Sequence, residues 1–445
     1  MPQRPATLLM LMDALTFEIT ARADDCHARC GRIETPHGTI ETPAFMPVGT
    51  RGAVKGLCPQ QVRDTGAEMV LANTYHLMLR PGSALIAAMG GLQAWTRWAG
   101  PMLTDSGGYQ VFSLSDISRI NEEGVRFRSH IDGAMVELTP QRSMQVQNEL
   151  GADIIMAFDD CPPAAAPTEH QQQRARAHQG AARPLEHPSP AASPQAGPHT
   201  TATPPRDPTP PPTGTAGVTM LDPASYRKRV REACERSARW LDRCIASHSR
   251  PGEQALFGIV QGGTDLGQRD WSLEATCGFE LPGYAIGGVA VGEGHDGLKQ
   301  VVEHCGPRLP ANRPRYLMGV GYERDLLVAI RAGMDLFDCV LPTRNGRNGN
   351  AFTSTGQLRV RNAACARDPG PIDPGCDCPA CGGGFSRSYL RHLLLSGEVL
   401  GPMLVSLHNL RHFQRYLLDI RAAIRDNNWS LLCDRWPVAV AGGCG

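Results

Sequence analysis

The chain has 445 residues, and its 44 basic and 44 acidic side chains give it a formal net charge of zero. This balance excludes a global basic field, so a nucleic-acid partner would have to be bound by a local patch. The 15 cysteines are too sparse for a disulfide scaffold in a chain of this length. No segment approaches the apolar length of a membrane span, and we expect a cytoplasmic protein with reduced thiols.

Eight short apolar runs recur along the chain, and each ends in glycine or polar residues. They are AFMPVGT (44–50), MVLANTYH (69–76), MLTDSGG (102–108), IIMAFDD (154–160), LFGIVQGG (256–263), YAIGGVAVGE (284–293), YLMGVG (316–321) and LFDCVLP (336–342). Helix-like stretches, such as 140–152 and 323–334, separate most of them. Apolar strands that alternate with amphipathic helices indicate a parallel sheet buried on both faces. Eight such units favour an α/β protein with a (β/α)8 TIM barrel; an open doubly wound sheet is the alternative.

One segment differs from the rest in composition. From about 164 to 217 it consists mainly of Pro, Ala, Thr, Gln and His, with almost no large apolar residues. Such a segment cannot bury enough surface to offset the entropy of ordering it, which predicts a disordered insert. Because the apolar runs on both sides form one series, the insert interrupts a single domain.

Polar residues stand at the ends of several apolar runs. They are Asp105, Asp159, Gln261, Gly287, Gly288 and Asp338. In a barrel the chemistry sits at the C-terminal ends of the strands. A single Asp at such a place is more often a turn former or a helix cap. Three strands that end in Asp, with one that ends in Gln-Gly-Gly, favour a shared site instead. Asp338 is the most informative, because an unpaired carboxylate in an apolar run is costly.

The stretch PGCDCPACGGGFSR holds Cys376, Cys378 and Cys381 in C-x-C-x-x-C spacing, which is typical of a zinc site. The candidates for the fourth ligand are His392, His408 and His412. We predict His408, because the intervening helix-like stretch could fold back to the cysteines. Three unrelated reduced cysteines are the alternative. Four protein ligands leave no open position, so one structural Zn²⁺ per subunit is expected.

Ordered motifs of this chain resemble those of the tRNA-guanine transglycosylase family. They are TDSGGYQVFSLS, MAFDDCPP, FGIVQGG, YAIGGVAVGEG, RYLMGVG and FDCVLPTRNGRNGNAFT, followed by the Cys-Cys-Cys…His element. The resemblance covers about 32–421 apart from the insert. It implies a (β/α)8 barrel with a zinc-binding subdomain inserted near the C-terminus. It also implies exchange of a guanine at the anticodon wobble position of tRNA for a 7-deazaguanine.

The expected division of the chain follows from this resemblance. An N-terminal extension (1–31) precedes the catalytic barrel (32–421), which is interrupted by the insert (164–217) and includes the zinc-binding subdomain (362–412). A C-terminal tail (422–445) completes the chain.

The resemblance also implies a role for each candidate residue. Asp338 would be the nucleophile that attacks the anomeric carbon of the ribose, as in a retaining glycosidase. Asp105 would be the general acid and base. The implied base-binding residues are Ser106, Tyr109, Asp159, Gln261, Gly287, Gly288, Val289 and Met318. Arg344 and Arg347 would contact the tRNA, and the family commonly forms a homodimer.

Val291 bears on which base is inserted, because queuine-inserting members carry a small Gly at this place. A bulky Val should obstruct the cyclopentenediol of queuine, and Cys161 also agrees with the bacterial pattern. We therefore expect insertion of 7-aminomethyl-7-deazaguanine into tRNAs with GUN anticodons, in queuosine biosynthesis. The alternatives are a queuine-inserting enzyme, a barrel glycoside hydrolase, and a non-catalytic tRNA-binding paralogue.

Overall fold

The computed structural model of the chain describes residues 14–114, 118–162 and 223–440. The predicted insert at 164–217 and residues 1–13 of the expected N-terminal extension therefore lie outside the described residues. None of the helices within these ranges is long and apolar enough to cross a membrane.

The described residues contain sixteen strands. The strands are β1 (Thr16–Arg22), β2 (Arg29–Thr35), β3 (Gly38–Thr42), β4 (Ala44–Pro47), β5 (Val70–Ala72), β6 (Met102–Thr104), β7 (Ser118–Ile120), β8 (Val125–Arg128), β9 (Met135–Leu138), β10 (Ile154–Met156), β11 (Ala255–Val260), β12 (Gly283–Ile286), β13 (Arg315–Leu317), β14 (Leu336–Cys339), β15 (Asn350–Thr353) and β16 (Gly356–Arg359).

Helices connect most of these strands. They are α1 (Pro59–Asp64), α2 (Thr74–Leu79), α3 (Ser83–Ala88), α4 (Gly91–Thr96), α5 (Gly108–Leu114), α6 (Pro140–Leu150), α7 (Pro223–Ser247), α8 (Leu266–Cys277), α9 (Gly294–Cys305), α10 (Glu323–Arg331), α11 (Leu341–Arg347), α12 (Arg387–Ser396), α13 (Leu400–Asp426), α14 (Trp429–Arg435) and α15 (Pro437–Val440). Two short 3-10 helices span Gly306–Arg308 and Ala363–Arg367.

The central sheet is a parallel barrel of eight strands. Neighbouring strands follow the order β4, β5, β6, β10, β11, β12, β13, β14, and β14 pairs with β4. A bridge between Val48 and Leu71, with the Gly49 N–H 2.7 Å from the Leu71 carbonyl oxygen, joins β4 to β5 and closes the ring. Each of the eight predicted apolar runs overlaps one of these strands. The predicted (β/α)8 barrel is therefore confirmed, and the open sheet is excluded.

The N-terminal end of the barrel is covered by the antiparallel sheet β1–β2–β3. Ile33 and Ile40 of this sheet are fully buried against the barrel interior. Arg29 forms a bidentate ion pair with Asp335, at 2.9 and 2.6 Å, where Asp335 directly precedes β14. Because this end is closed by apolar contacts and a buried ion pair, the barrel is accessible from its other end, where the strands finish.

The C-terminal part of the chain continues in helices beyond residue 421. Residue 421, the expected end of the barrel, lies inside α13, which continues to Asp426. The expected tail also contains α14 and α15. Trp436, between these helices, is 1% exposed and packs edge-on against the rings of His412 and Tyr416.

Candidate active site

The polar residues predicted at strand ends meet at the open mouth of the barrel. Asp105 follows β6, Gln261 follows β11, and Asp338 is the third residue of β14. Asp159 lies three residues beyond the end of β10. The charge of Asp338 contributes to raising the pKa of Asp105, so the two carboxylates are near each other. The structure thus brings together the residues that the sequence pattern predicted to share a site.

Asp105 is held by three neutral donors and is 7% exposed. The side-chain amides of Asn73 and Gln110 donate to Oδ2, the latter at 2.8 Å, and the Thr74 N–H donates to Oδ1 at 2.8 Å. Burial nevertheless raises the pKa of Asp105 to about 6. A carboxyl group with this pKa can both give and accept a proton near neutral pH.

Asp338 is bonded at one oxygen only. The Tyr316 hydroxyl donates to Oδ1 at 2.6 Å, and the Gly319 N–H donates to the same atom at 2.8 Å. Oδ2 receives no hydrogen bond from another described residue. Burial raises the pKa of Asp338, and these two hydrogen bonds oppose the rise. The arrangement fixes the carboxylate while leaving one oxygen without a hydrogen-bond donor among the described residues.

Asp159 lies at the centre of a second hydrogen-bonded group. The Ser106 hydroxyl donates to Oδ1 at 3.1 Å, and the Gln261 side-chain amide donates to Oδ2 at 2.5 Å. Burial is the main cause that raises the pKa of Asp159 to about 6. Ser106 and Gln261, which come from different strand ends, therefore orient one acceptor group inside the mouth.

The Gly287–Gly288 pair leaves room for the side chain of Gln261. A Cβ on Gly287 would lie 2.8 Å from Nε2 of Gln261, and a Cβ on Gly288 would overlap its Oε1. Gly288 also has a φ of +66°, which L side chains rarely adopt. The fully buried Arg269 donates to the Val260 and Gly287 carbonyl oxygens at 2.9 and 2.8 Å, and so joins the two strand ends.

The remaining predicted base-binding residues surround this centre. Tyr109, in the first turn of α5, is half exposed, whereas Met318 is partly buried just after β13. Val289 is buried directly after the glycine pair.

Arg344 and Arg347, the predicted tRNA-binding residues, lie three residues apart on one face of α11. The side chain of Arg344 is exposed, and that of Arg347 is partly buried.

Sequence reasoning missed the residues that position the carboxylates. Asn73, Thr74 and Gln110 hold Asp105, while Tyr316 and Gly319 hold Asp338. A signal did exist, because Asn73 and Thr74 directly follow β5, the strand next to β6. The missing step was to pair the polar residues of adjacent strand ends.

The surroundings of Asp160 indicate a structural role. This fully buried carboxylate receives hydrogen bonds from Arg229 at 2.8 and 2.5 Å and from Arg236 at 2.5 Å. Both arginines belong to α7, on the other side of the undescribed stretch 163–222. The ion pairs therefore fasten α7 to the end of β10.

The predicted zinc ligands come together in the C-terminal part of the chain. Nδ1 of His408 lies 3.6 Å from the sulfur of Cys376 and 3.4 Å from those of Cys378 and Cys381. Tetrahedral zinc with ordinary Zn–S and Zn–N bond lengths gives a sulfur-to-nitrogen separation of about 3.6 Å. The other ring nitrogen, Nε2, is 2.7 Å from the Phe352 carbonyl oxygen, which fixes the ring. The four residues therefore fit a zinc ion.

The other candidate histidines are placed elsewhere. Nε2 of His412 lies 2.7 Å from the Glu323 carboxylate, and Nδ1 of His392 lies 3.5 Å from the Ser396 hydroxyl. Of the three candidates, His408 is therefore the one that lies with the cysteines. The three thiols share one centre, which argues against unrelated cysteines.

Comparison with known proteins agrees with this geometry. The sequence model of the family described as queuine tRNA-ribosyltransferase matches residues 24–196 and 218–439. A queuine tRNA-ribosyltransferase of Thermus thermophilus is 46% identical over 418 residues, which cover 94% of this chain and 92% of the relative. That of Synechococcus elongatus is 45% identical over 431 residues, covering 96% and 97%. That of Stenotrophomonas maltophilia is 46% identical over 414 residues, covering 93% and 94%.

The family match extends across the barrel, the zinc ligands and the C-terminal helices. It omits residues 197–217, which lie within the proline-rich stretch. The resemblance seen in the sequence motifs is confirmed: the chain belongs to the queuine tRNA-ribosyltransferase family.

Proposed function

We propose that the protein is a tRNA-guanine transglycosylase. It exchanges the wobble guanine of tRNAs with GUN anticodons (Asp, Asn, His and Tyr) for 7-aminomethyl-7-deazaguanine, in queuosine biosynthesis. The observation that carries this proposal is the pair of buried carboxylates at the mouth. One oxygen of Asp338 receives no hydrogen bond from the described part of the chain, and burial raises the pKa of Asp105 to about 6.

The first displacement uses both carboxylates. Oδ2 of Asp338 attacks the anomeric carbon of the target ribose while the bond from that carbon to guanine breaks. The bonding electrons leave with the guanine ring nitrogen, and Asp105 supplies the proton that this nitrogen takes up. The products of the step are free guanine and an ester between Asp338 and the ribose.

The second displacement reverses these roles. Asp105, now ionised, accepts the ring N–H proton of the incoming 7-deazaguanine, and its nitrogen attacks the anomeric carbon. The ester bond breaks and its electrons return to Asp338. Because a base rather than water attacks the intermediate, the site must hold a base firmly between the two steps.

Base recognition is proposed for the hydrogen-bonded group around Asp159. As an acceptor-only group, its carboxylate suits the amide N–H and amino donors of a guanine-type ring. Gln261 and the Gly288 N–H would donate to the carbonyl oxygen of the base. Tyr109 and Met318 would contact its two faces. The ammonium group of the aminomethyl substituent would meet the carbonyl oxygen of Val289.

The choice of incoming base rests on Val291. Its side chain is 36% exposed at the loop that follows Gly287 and Gly288, where a queuine cyclopentenediol would have to pass. The runner-up function is queuine insertion. Mass spectrometry of tRNA after separate incubations with the aminomethyl base and with queuine distinguishes them, and preferred incorporation of queuine would overturn this assignment.

The covalent step is tested directly by trapping. Wild-type protein incubated with tRNA should give an adduct that survives denaturing electrophoresis, and Asp338→Ala should give none. Asp160→Asn is the matched control, because this neighbouring carboxylate pairs with arginines outside the reaction. Incorporation of radiolabelled guanine into tRNA separates exchange from hydrolysis and from a non-catalytic paralogue. An adduct that persists in Asp338→Ala would refute the assigned nucleophile.

We propose a structural role for zinc. Cys376, Cys378, Cys381 and His408 would hold one Zn²⁺, which supplies a cross-link between the cysteine loop and α13. Arg344 and Arg347 would contact the anticodon loop.

A homodimer and a cytoplasmic location complete the proposal. Tyr389, Leu395, Val399 and Leu400, on and just after α12, form a run of exposed apolar side chains that suits a protein interface. Light scattering of the purified chain would give its mass in solution, and a monomer at micromolar concentration would refute the dimer.

The proline-rich insert is proposed to be dispensable for exchange. Asp160 before it and Arg229 after it are already joined by a partly buried ion pair. The entropic cost of a long connection grows only logarithmically with its length. A variant without residues 164–217 should therefore fold and remain active, and a folded deletion variant that loses most activity would refute this.

A further inference from the structure

The barrel mouth divides into two halves of different chemistry. The base-binding group Asp159, Gln261 and Gly288 follows β10, β11 and β12, which are neighbours in the ring. The other half is formed by the ends of β14, β4, β5 and β6. Basic side chains that follow these four strands include Arg344 and Arg347 after β14, Arg51 after β4, His76 after β5, and His130 in the hairpin after β6.

Arg344 and Arg347 form one basic group on this half of the mouth. Arg51, His76 and His130 form another, here called the second basic cluster. The ring centroids of His76 and His130 are 5.7 Å apart, in an edge-to-face arrangement. The Tyr75 hydroxyl lies 3.0 Å from Nδ1 of His130 and holds that ring in place. Arg51 is exposed and forms no ion pair with another described residue. One guanidinium group and two imidazole rings therefore meet at the mouth.

The electrostatics of the cluster favour an added anion. Burial, together with the smaller effects of the positive charges of Arg51 and His130, lowers the pKa of His76 to about 4. Both charges that act on His76 are thus cationic. Nδ1 of His76 is also buried and has no hydrogen-bond partner among the described residues. Buried polar atoms are nearly always paired in folded proteins, so this nitrogen suits a ligand atom.

We propose that the second basic cluster binds a phosphodiester of the substrate RNA. The RNA strand would cross the mouth over the ends of β14, β4, β5 and β6, while its extruded base enters the half formed by β10, β11 and β12. This inference rests on the proposed function, and it adds a phosphate contact on the far side of the nucleophile from Arg344 and Arg347.

The dimensions and connections of the site support RNA over an isolated anion. Four adjacent strand ends span about 15 Å at about 4.8 Å between strands, which suits a chain of phosphates rather than one. His76 lies in α2, two residues after Thr74, whose N–H holds Asp105. A phosphate bound here would therefore fix the RNA backbone relative to the general acid.

The test is the salt dependence of tRNA binding. For a single-stranded site, each phosphate contact contributes about 0.7 to the slope of log affinity against log salt. Arg51→Gln should bind tRNA more weakly and with a slope smaller by about 0.7. The ratio of wild-type to Arg51→Gln affinity for tRNA should therefore fall by about 2.6-fold as the salt concentration rises from 50 to 200 mM. His130→Gln, another exposed position, should change the slope in the same direction.

Arg32→Gln is the matched control, since it removes one exposed positive charge from β2 at the closed end of the barrel. It should leave the slope unchanged. An unchanged slope in both Arg51→Gln and His130→Gln, or an equal fall in Arg32→Gln, would overturn the proposal. Failure of the proposed function is separate, because wild-type protein would then incorporate no labelled guanine into tRNA.

Discussion

Asp105→Asn should make the protein more stable at neutral pH while abolishing exchange. Burial raises the pKa of Asp105 from its ordinary value of 3.8 to about 6. A carboxyl group whose pKa is higher in the folded state contributes stability below its unfolded pKa. That contribution is lost as the pH rises through the folded pKa. At pH 7 the ionised Asp105 therefore opposes folding, and the neutral amide does not.

The size of the effect follows from the two pKa values. One pKa unit corresponds to about 1.4 kcal/mol, so the rise to about 6 costs about 3 kcal/mol at pH 7. About 1 kcal/mol of this cost accrues between pH 5 and pH 7. An Asn at this position places one of its own donors against the donating amides of Asn73 or Gln110. This clash reduces the stability gained by the substitution, and it does so by the same amount at every pH.

The assay is urea unfolding of wild type and variant at pH 5 and pH 7, in buffer that contains zinc. The stability of Asp105→Asn relative to wild type should increase by about 1 kcal/mol from pH 5 to pH 7. Asp24→Asn, at an exposed position far from the mouth, should show no such increase. If the free energy of unfolding of Asp105→Asn minus that of wild type stays constant or shrinks from pH 5 to pH 7, the reasoning is refuted.

Three further variants test other parts of the structure. Cys378→Ser should lose zinc, measured by atomic absorption, and become sensitive to protease after β16; retention of one zinc per chain would contradict the assigned ligands. Gly288→Ala should lower kcat/KM for guanine exchange by about tenfold or more, because its Cβ would displace the amide of Gln261 by overlap with Oε1. Asp335→Asn leaves Arg29 buried without its carboxylate and should cost about 3–5 kcal/mol in urea unfolding; a midpoint equal to that of wild type would contradict this.

The sequence predicted the features that depend on local pattern. Continuous apolar runs marked all eight barrel strands, since strands buried on both faces must be apolar throughout. The spacing of three cysteines marked the metal site, since thiolates that share one ion must lie close together in the fold. Both signals are contained within a few consecutive residues, so no knowledge of the tertiary structure was needed.

Contacts between distant residues left no such pattern. Arg29 and Asp335 are separated by 306 positions, and neither residue has neighbours that mark it as paired.

The helical conformation of α11 was also hidden in the sequence, because Asn and Gly disfavour helices. Gly346 explains this exception: a Cβ there would lie 2.7 Å from the Ser406 Cα atom. The glycine permits close packing of α11 on α13, and that packing outweighs its low helix propensity.

Buried aspartates at different places in this barrel show how surroundings separate structure from chemistry. Asp335 at the closed end and Asp160 beside α7 are both paired with arginine, so their charges are already neutralised. At the mouth, Asp105, Asp159 and Asp338 receive hydrogen bonds only from amides, hydroxyls and backbone N–H groups. Neutral donors orient a carboxylate without cancelling its charge, so burial raises the pKa of all three. An arginine beside Asp338 would stabilise the folded protein but would also weaken the proposed nucleophile, and no such partner is found among the described residues.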